Sequence, residues 1–194
     1  ATRRVVARQA VGAILNLEAS FQRDEASIAL QTVTMPDGPG PDDLPDTSWS
    51  DRFARRDAPP GSFDDQTCAG AGRVIRWIKL NERLGDPTDP VAALDHVCWM
   101  AFMSDDLPSD VVFRAHPRGR VQEPHANFFG ASLDHTLWFH RPMRVDEWHL
   151  YEGICHAFNR ARGLAIGNIF GADGTHTASF AQEFLAREVL AGDH

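Results

Sequence analysis

One helical repeat stands in a chain otherwise written in strand and turn patterns, and it sets the architecture. Between Pro87 and Leu107, the residues Leu94, Val97, Cys98, Ala101 and Phe102 recur at helical spacing, and Pro90 suits a first turn. The spacing predicts one long helix over Pro87 to Leu107 with that stripe buried. Strand-like runs flank it. Arg73 to Leu80 comes before, and Ala131 to Arg141, Glu147 to Phe158, Gly163 to Phe170 and Thr175 to Leu185 come after, the last two joined by the turn sequence Gly171-Ala172-Asp173-Gly174. A strand, a helix and a four-strand meander make an α+β order. A curved antiparallel sheet wrapped round the helix buries such a stripe economically.

Upstream of this region, Thr34 to Gln66 carries six of the twelve prolines and eight Asp, with no Glu or Lys. Proline blocks helix and ladder alike, and the Asp residues keep the segment solvated, so it reads as a linker. Around Trp49 and Phe53 an ordered loop packed on a domain is an equal alternative. Before it, Leu15, Leu17, Ala19 and Phe21 alternate with Asn16, Glu18, Ser20 and Gln22, which predicts a half-buried antiparallel hairpin within Arg3 to Arg23. A hairpin alone is marginal in water. Glu18-Ala19-Ser20-Phe21-Gln22 is echoed by Thr177-Ala178-Ser179-Phe180-Ala181-Gln182-Glu183, which suggests the end of a first copy of the fold. The expected organisation is 1–33 as the terminal hairpin of a first, truncated domain, 34–66 as linker and 67–194 as a complete second domain.

Charge narrows the partners. The 194-residue chain is −8 overall, its one Lys is Lys79, and −5 of the total sits in the Pro/Asp tract, where eight Asp outnumber three Arg. No basic face for nucleic acid is assembled. No stretch approaches the ~20 apolar residues of a membrane span, and the N-terminal residues do not resemble a secretory leader. Cys68, Cys98 and Cys155 form no CxxC pair, which fits free thiols in a reducing, cytoplasmic setting better than a disulfide framework. A homo-oligomer is compatible with all of this.

Two residues stand out chemically. Asp105 follows Ala101, Phe102 and Cys98 at helical spacing, so a carboxylate projects from the apolar stripe near a helix C-terminus, where the dipole disfavours it. It either ends the helix before Pro108 or is a placed acid or base, while Asp106 points elsewhere. Gln182 shares a strand face with His176, Ala178, Phe180 and Phe184, and an amide there needs partners. Other signatures fail. Gly130-Ala131-Ser132-Leu133-Asp134 lacks the second glycine of a nucleophile elbow, His135 and His140 fall on opposite sides of a continuous strand, and no HExxH or GxGxxG occurs. Neither a metal nor any other cofactor is expected.

The run Ser132-Leu133-Asp134-His135-Thr136-Leu137-Trp138-Phe139-His140-Arg141-Pro142, with Glu147-Trp148 and Ala161-Arg162-Gly163, resembles the type II acyl-CoA thioesterases. The resemblance extends over nearly the whole chain. It implies a double hotdog fold, of which this chain would be the C-terminal part, and hydrolysis of fatty acyl-CoA to free acid and coenzyme A. The site it implies is an Asp, a hydroxyl residue and a Gln, which match Asp105, Ser132 and Gln182. Strand parity alone places Ser132 away from the site, so an irregular strand start is needed to bring it in. The sequence departs from the usual pattern at Ser132, where Thr is commoner, at Phe184 after Gln182-Glu183, and at Asp106 and Pro108. Arg141 and Arg162 lie in family-like runs and stay unassigned. The alternatives are a hotdog module that binds acyl-CoA or a protein partner without hydrolysis, and an enoyl-CoA hydratase.

Overall fold

The computed structural model describes residues 1–23, 25–63, 72–120 and 128–189. Cys68 and the end of the Pro/Asp tract lie outside the described residues. The chain divides into two compact units, Ala1–Thr32 and Val33–His194. In the first, β1 (Thr2–Gln9) pairs antiparallel with β2 (Gly12–Ser20), with Thr2 opposite Ser20 and Gln9 opposite Gly12. Gly12 takes φ 119°, a backbone conformation open to glycine, and this closes the turn. The hairpin forms as expected. Its alternating side chains remain exposed, Leu15 at 51% and Leu17 at 45%.

The second unit is a seven-stranded antiparallel sheet built from β3 (Phe53–Asp57), β4 (Arg73–Leu80), β5 (Phe128–Ser132), β6 (Thr136–Phe139), β7 (His149–Asn159), β8 (Arg162–Gly171) and β9 (His176–Glu188). The order is β3-β4-β7-β8-β9-β5, and β6 pairs with another stretch of β9. β4 reads Arg-Val-Ile-Arg-Trp-Ile-Lys-Leu and is buried on both faces. Val74, Ile78 and Leu80 join the main core, while Ile75 and Trp77 join a second cluster with Phe63, Leu150 and Phe170. Val33, Met35 and Leu44 pack on that second cluster, and Trp77 Nε1 donates to the Pro39 carbonyl at 3.1 Å. The described part of the Pro/Asp tract therefore covers the sheet and supplies its edge strand. Its apolar side chains outweigh its prolines, because the prolines fall where no ladder bond is required.

The helical region departs from the expected single helix. It comprises α1 (Pro90–Met103), a 3₁₀ turn at Ser104–Asp106 and α2 (Pro108–Ala115). The Asp89 carboxylate accepts from Val91 N–H and Ala92 N–H, both at 3.0 Å, and so caps α1. Pro108 starts α2 rather than stopping the helical run, since a proline at the first helical position needs no N–H partner. α2, too short to announce itself by period, packs across β4, β7, β8 and β9 through Val111, Val112 and Phe113. A Cβ on Gly153 would collide with Leu107 and Val111, and one on Gly163 with Val112, so these two glycines let α2 approach.

α1 turns the other way from the expectation. His96, Met100 and Met103 are buried, whereas Leu94 is 56% exposed, Phe102 is 59% exposed, and Cys98 and Ala101 are also exposed. Apolar residues occur all round α1, so periodicity selects no single face. The choice is made by polar pairing instead. His96 Nδ1 accepts from Val145 N–H at 3.2 Å, its Nε2 meets the Gly85 carbonyl at 3.1 Å, and Tyr151 OH donates to Met100 Sδ at 3.0 Å.

Candidate active site

The 3₁₀ turn between α1 and α2 carries two carboxylates with opposite fates. Asp106 faces inward, where fully buried Arg76 from β4 reaches it through Nη1 at 2.7 Å. Arg76 also contacts Asp57 at 2.8 Å and Asp110 at 2.6 Å, and donates to the Asp106 carbonyl at 3.0 Å. Burial alone would lower the Arg76 pKa, but Asp57, Asp110 and Asp106 outweigh it and raise the value. Trp49 Nε1 and Arg55 Nη1 also donate to Asp106, at 2.9 and 3.3 Å. This cluster fixes the turn, and its neighbour Asp105 is thereby held outward and exposed. Asp105 does share a side with Ala101, Phe102 and Cys98, as the spacing predicts. That side is open rather than interior, because α1 buries its other face.

Gln182 comes from β9, where Ala178, Phe180, Gln182, Phe184 and Ala186 alternate inward and Gln182 is 0% exposed. Ser132 ends β5. The expected continuous strand over Ala131 to Arg141 is instead two strands separated by Leu133 to His135, since β5 pairs with Phe184–Glu188 of β9 and β6 with Ala178–Ala181. Asp134 Oδ1 accepts from Glu183 N–H at 2.8 Å and Leu133 N–H donates to the Glu183 carbonyl at 2.9 Å, which pins the interruption beside Gln182. The break supplies the irregularity that Ser132 needs.

The three expected residues meet. Gln182 Nε2 donates to Ser132 Oγ at 2.8 Å, and Ser132 Oγ lies 3.5 Å from Asp105 Oδ1. Two residues not singled out in the sequence extend the chain of contacts: His135 Nδ1 lies 2.5 Å from Gln182 Oε1, and its Nε2 lies 2.7 Å from the hydroxyl of buried Ser104. His135 also stacks over Phe180, with centroids 6.5 Å apart and planes at 17°. Parity along an unbroken strand hid His135, and the Asp134 carboxylate next to it was the one available hint of a local turn. Among the described residues no group of three metal-ligating side chains gathers. The assembly is thus a carboxylate, a hydroxyl and a buried amide in one hydrogen-bonded row, suited to orienting a nucleophile and taking its proton.

The profile of the family described as acyl-CoA thioesterase C-terminal domain matches residues 30–186. The chain belongs to the acyl-CoA thioesterase family. Acyl-coenzyme A thioesterase 8 of Mus musculus is 28% identical over 210 residues, an alignment covering 95% of this chain and 62% of the mouse protein. The chain thus spans about three fifths of the length of that relative. The structure of acyl-CoA thioesterase II TesB2 from Mycobacterium marinum matches with a TM-score of 0.83 at 34% identity, covering 97% of this chain and 68% of that one. A conserved protein with hot dog fold from Alicyclobacillus acidocaldarius matches at TM-score 0.65 and 16% identity, covering 97% of this chain and 73% of its own. The second unit is a hotdog fold.

Three departures from the usual acyl-CoA thioesterase pattern acquire structural roles. Asp106 is a ligand of Arg76, Pro108 opens α2, and Phe184 fills the space beside Phe113 in an edge-to-face contact at 5.2 Å. Arg141 donates to the His176 carbonyl at 2.8 Å and Arg162 pairs with Glu183 at 2.9 Å.

Proposed function

We propose that this chain hydrolyses fatty acyl-CoA thioesters to the free acid and coenzyme A, with Asp105 as general base and Ser132 and Gln182 orienting the water. The observation that carries the reading is the row Gln182 Nε2 to Ser132 Oγ to Asp105 Oδ1, two contacts that join residues from two strands and the 3₁₀ turn. A carboxylate offers several acceptor sites, so Asp105 can hold the Ser132 hydroxyl and a water together. As the water oxygen forms its bond to the thioester carbonyl carbon, its proton passes to Asp105 and negative charge collects on the carbonyl oxygen. Collapse breaks the C–S bond, and the departing thiolate leaves as coenzyme A once protonated. The thiolate is a good leaving group, so no stronger acid is required.

In the same proposal the opening hairpin belongs to a first hotdog domain, while the Pro/Asp tract, expected from the sequence as a linker, joins the second domain through β3 and its packing on the sheet. Support comes from the exposed apolar residues of β1 and β2 and from a family match that begins at residue 30. We also assign the protein to the cytoplasm. The support is the free thiols of Cys98 and Cys155, which suit a reducing compartment.

Asp105→Asn tests the mechanism. Thiol release from a medium-chain acyl-CoA should fall by about a hundredfold or more, the usual scale for a general base, with substrate binding preserved. A variant within about threefold of the parent removes Asp105 from the chemistry. Tight acyl-CoA binding by the parent chain with no thiol release would favour the binding-module alternative.

A further inference from the structure

We propose that His135 is a positioning residue that sets the direction of the Gln182 amide, and through it turns the Ser132 hydroxyl proton onto Asp105. The inference rests on the hydrolase reading for its kinetic consequence and on geometry alone for its structural one. Gln182 Oε1 can only accept, so its 2.5 Å contact requires a hydrogen on His135 Nδ1. With Oε1 held there, Nε2 must face Ser132, and its N–H occupies a lone pair of Oγ at 2.8 Å. The Ser132 O–H is then left to point at Asp105 Oδ1, 3.5 Å away. A reversed amide inverts every step: Oε1 would accept the Ser132 hydroxyl, and the carboxylate would lose its donor.

Among the described residues, the polar contacts of the Gln182 side chain are His135 at Oε1 and Ser132 at Nε2, on an otherwise apolar strand face between Phe180 and Phe184. The imidazole makes the choice, and the surroundings hold the imidazole. Phe180 stacks against the ring, and Ser104 meets Nε2 at 2.7 Å while standing 2.9 Å from the Ala101 carbonyl. A serine hydroxyl so placed either donates to a bare Nε2 or, turned to Ala101, accepts from a protonated one. Ser104 therefore tolerates a change at Nε2 while the hydrogen on Nδ1 stays in place.

Two measurements decide. A long-range ¹⁵N–¹H spectrum of the histidine-labelled chain, assigned by the signal that His135→Phe removes, should show Nδ1 of His135 bearing hydrogen; a bare Nδ1 overturns the inference whether or not the chain is active. Kinetically, His135→Phe keeps the stacked ring but not the donor, and kcat should fall about thirtyfold with KM within about twofold. His135→Asn, whose amide N–H stands near the place of Nδ1, should recover to within about fivefold of the parent. On a Gln182→Leu background, His135→Phe should cost less than about twofold, because its route to Ser132 is already gone. A loss confined to KM, an Asn variant no better than Phe, or losses that multiply on the Leu background would each overturn it. If Asp105→Asn retains activity, the role of Asp105 as base fails separately, and if the parent chain releases no thiol the hydrolase reading fails; the tautomer result stands in both cases.

Discussion

Replacing Gln182 by Leu separates what the amide does for stability from what it does for chemistry. The side chain is fully buried and makes two described hydrogen bonds, to His135 at 2.5 Å and to Ser132 at 2.8 Å. Losing both costs about 2 kcal/mol at ~1 kcal/mol each. Against this, Leu has nearly the same volume, and removing a polar amide from between Phe180 and Phe184 returns about 1–3 kcal/mol. The abandoned partners do not add a penalty, since Ser132 and His135 are both exposed and can turn to water. The expected change in unfolding free energy is within about 1 kcal/mol. Activity has no such compensation. Ser132 loses the donor that directs its hydroxyl, and removing one preorganised hydrogen-bond donor from a hydrolytic site costs about 10²–10³ in kcat. Urea unfolding and thiol release from one acyl-CoA, measured on the same preparation, check both halves. A variant destabilised by more than about 3 kcal/mol would show that the amide is a structural tie, and one with activity within about threefold of the parent would remove it from the mechanism.

Arg76→Met should destabilise the chain by about 3 kcal/mol in chemical denaturation, because it strands the clustered carboxylates of Asp57, Asp106 and Asp110, whose side chains are about one fifth exposed. It should also lower activity by loosening the turn that holds Asp105. Gly153→Ala drives a methyl group into Leu107 and Val111 beneath α2, and should cost about 1–3 kcal/mol with a matching fall in Tm. Acid titration should erode stability as well. Burial alone would raise the Asp146 pKa, but Leu84 N–H and Arg144 outweigh it and lower the value, while Thr175 N–H and O–H lower that of Asp173. Carboxylates depressed in the folded state contribute stability that is fully present above their unfolded pKa near ~3.9 and is lost as pH falls through the lower folded value. A Tm that holds flat through that range would refute the assignment.

The sequence by itself determined the hairpin, the strands β4, β7, β8 and β9, and Gln182 as a polar group on an inward face; β3 was hidden in the Pro/Asp tract, and the stripe that carries Asp105 is open rather than buried. Alternation is a local property, and along β9 it correctly turned Gln182 inward with Ala178 and Phe180. The family-like run from Ser132 to Pro142 added the hydroxyl partner. Tertiary structure decided the rest, wherever local pattern left several answers of similar energy. α1 is apolar on most sides, so only the bonds of His96 to Val145 and Gly85 and the docking of Met100 under Tyr151 chose its buried face. α2 is a mere eight residues, and it is the sheet glycines that give it a seat. The break between β5 and β6 follows from how both strands meet β9. That break brings Ser132 and His135 to Gln182, and no periodicity within the run itself specifies a pairing partner.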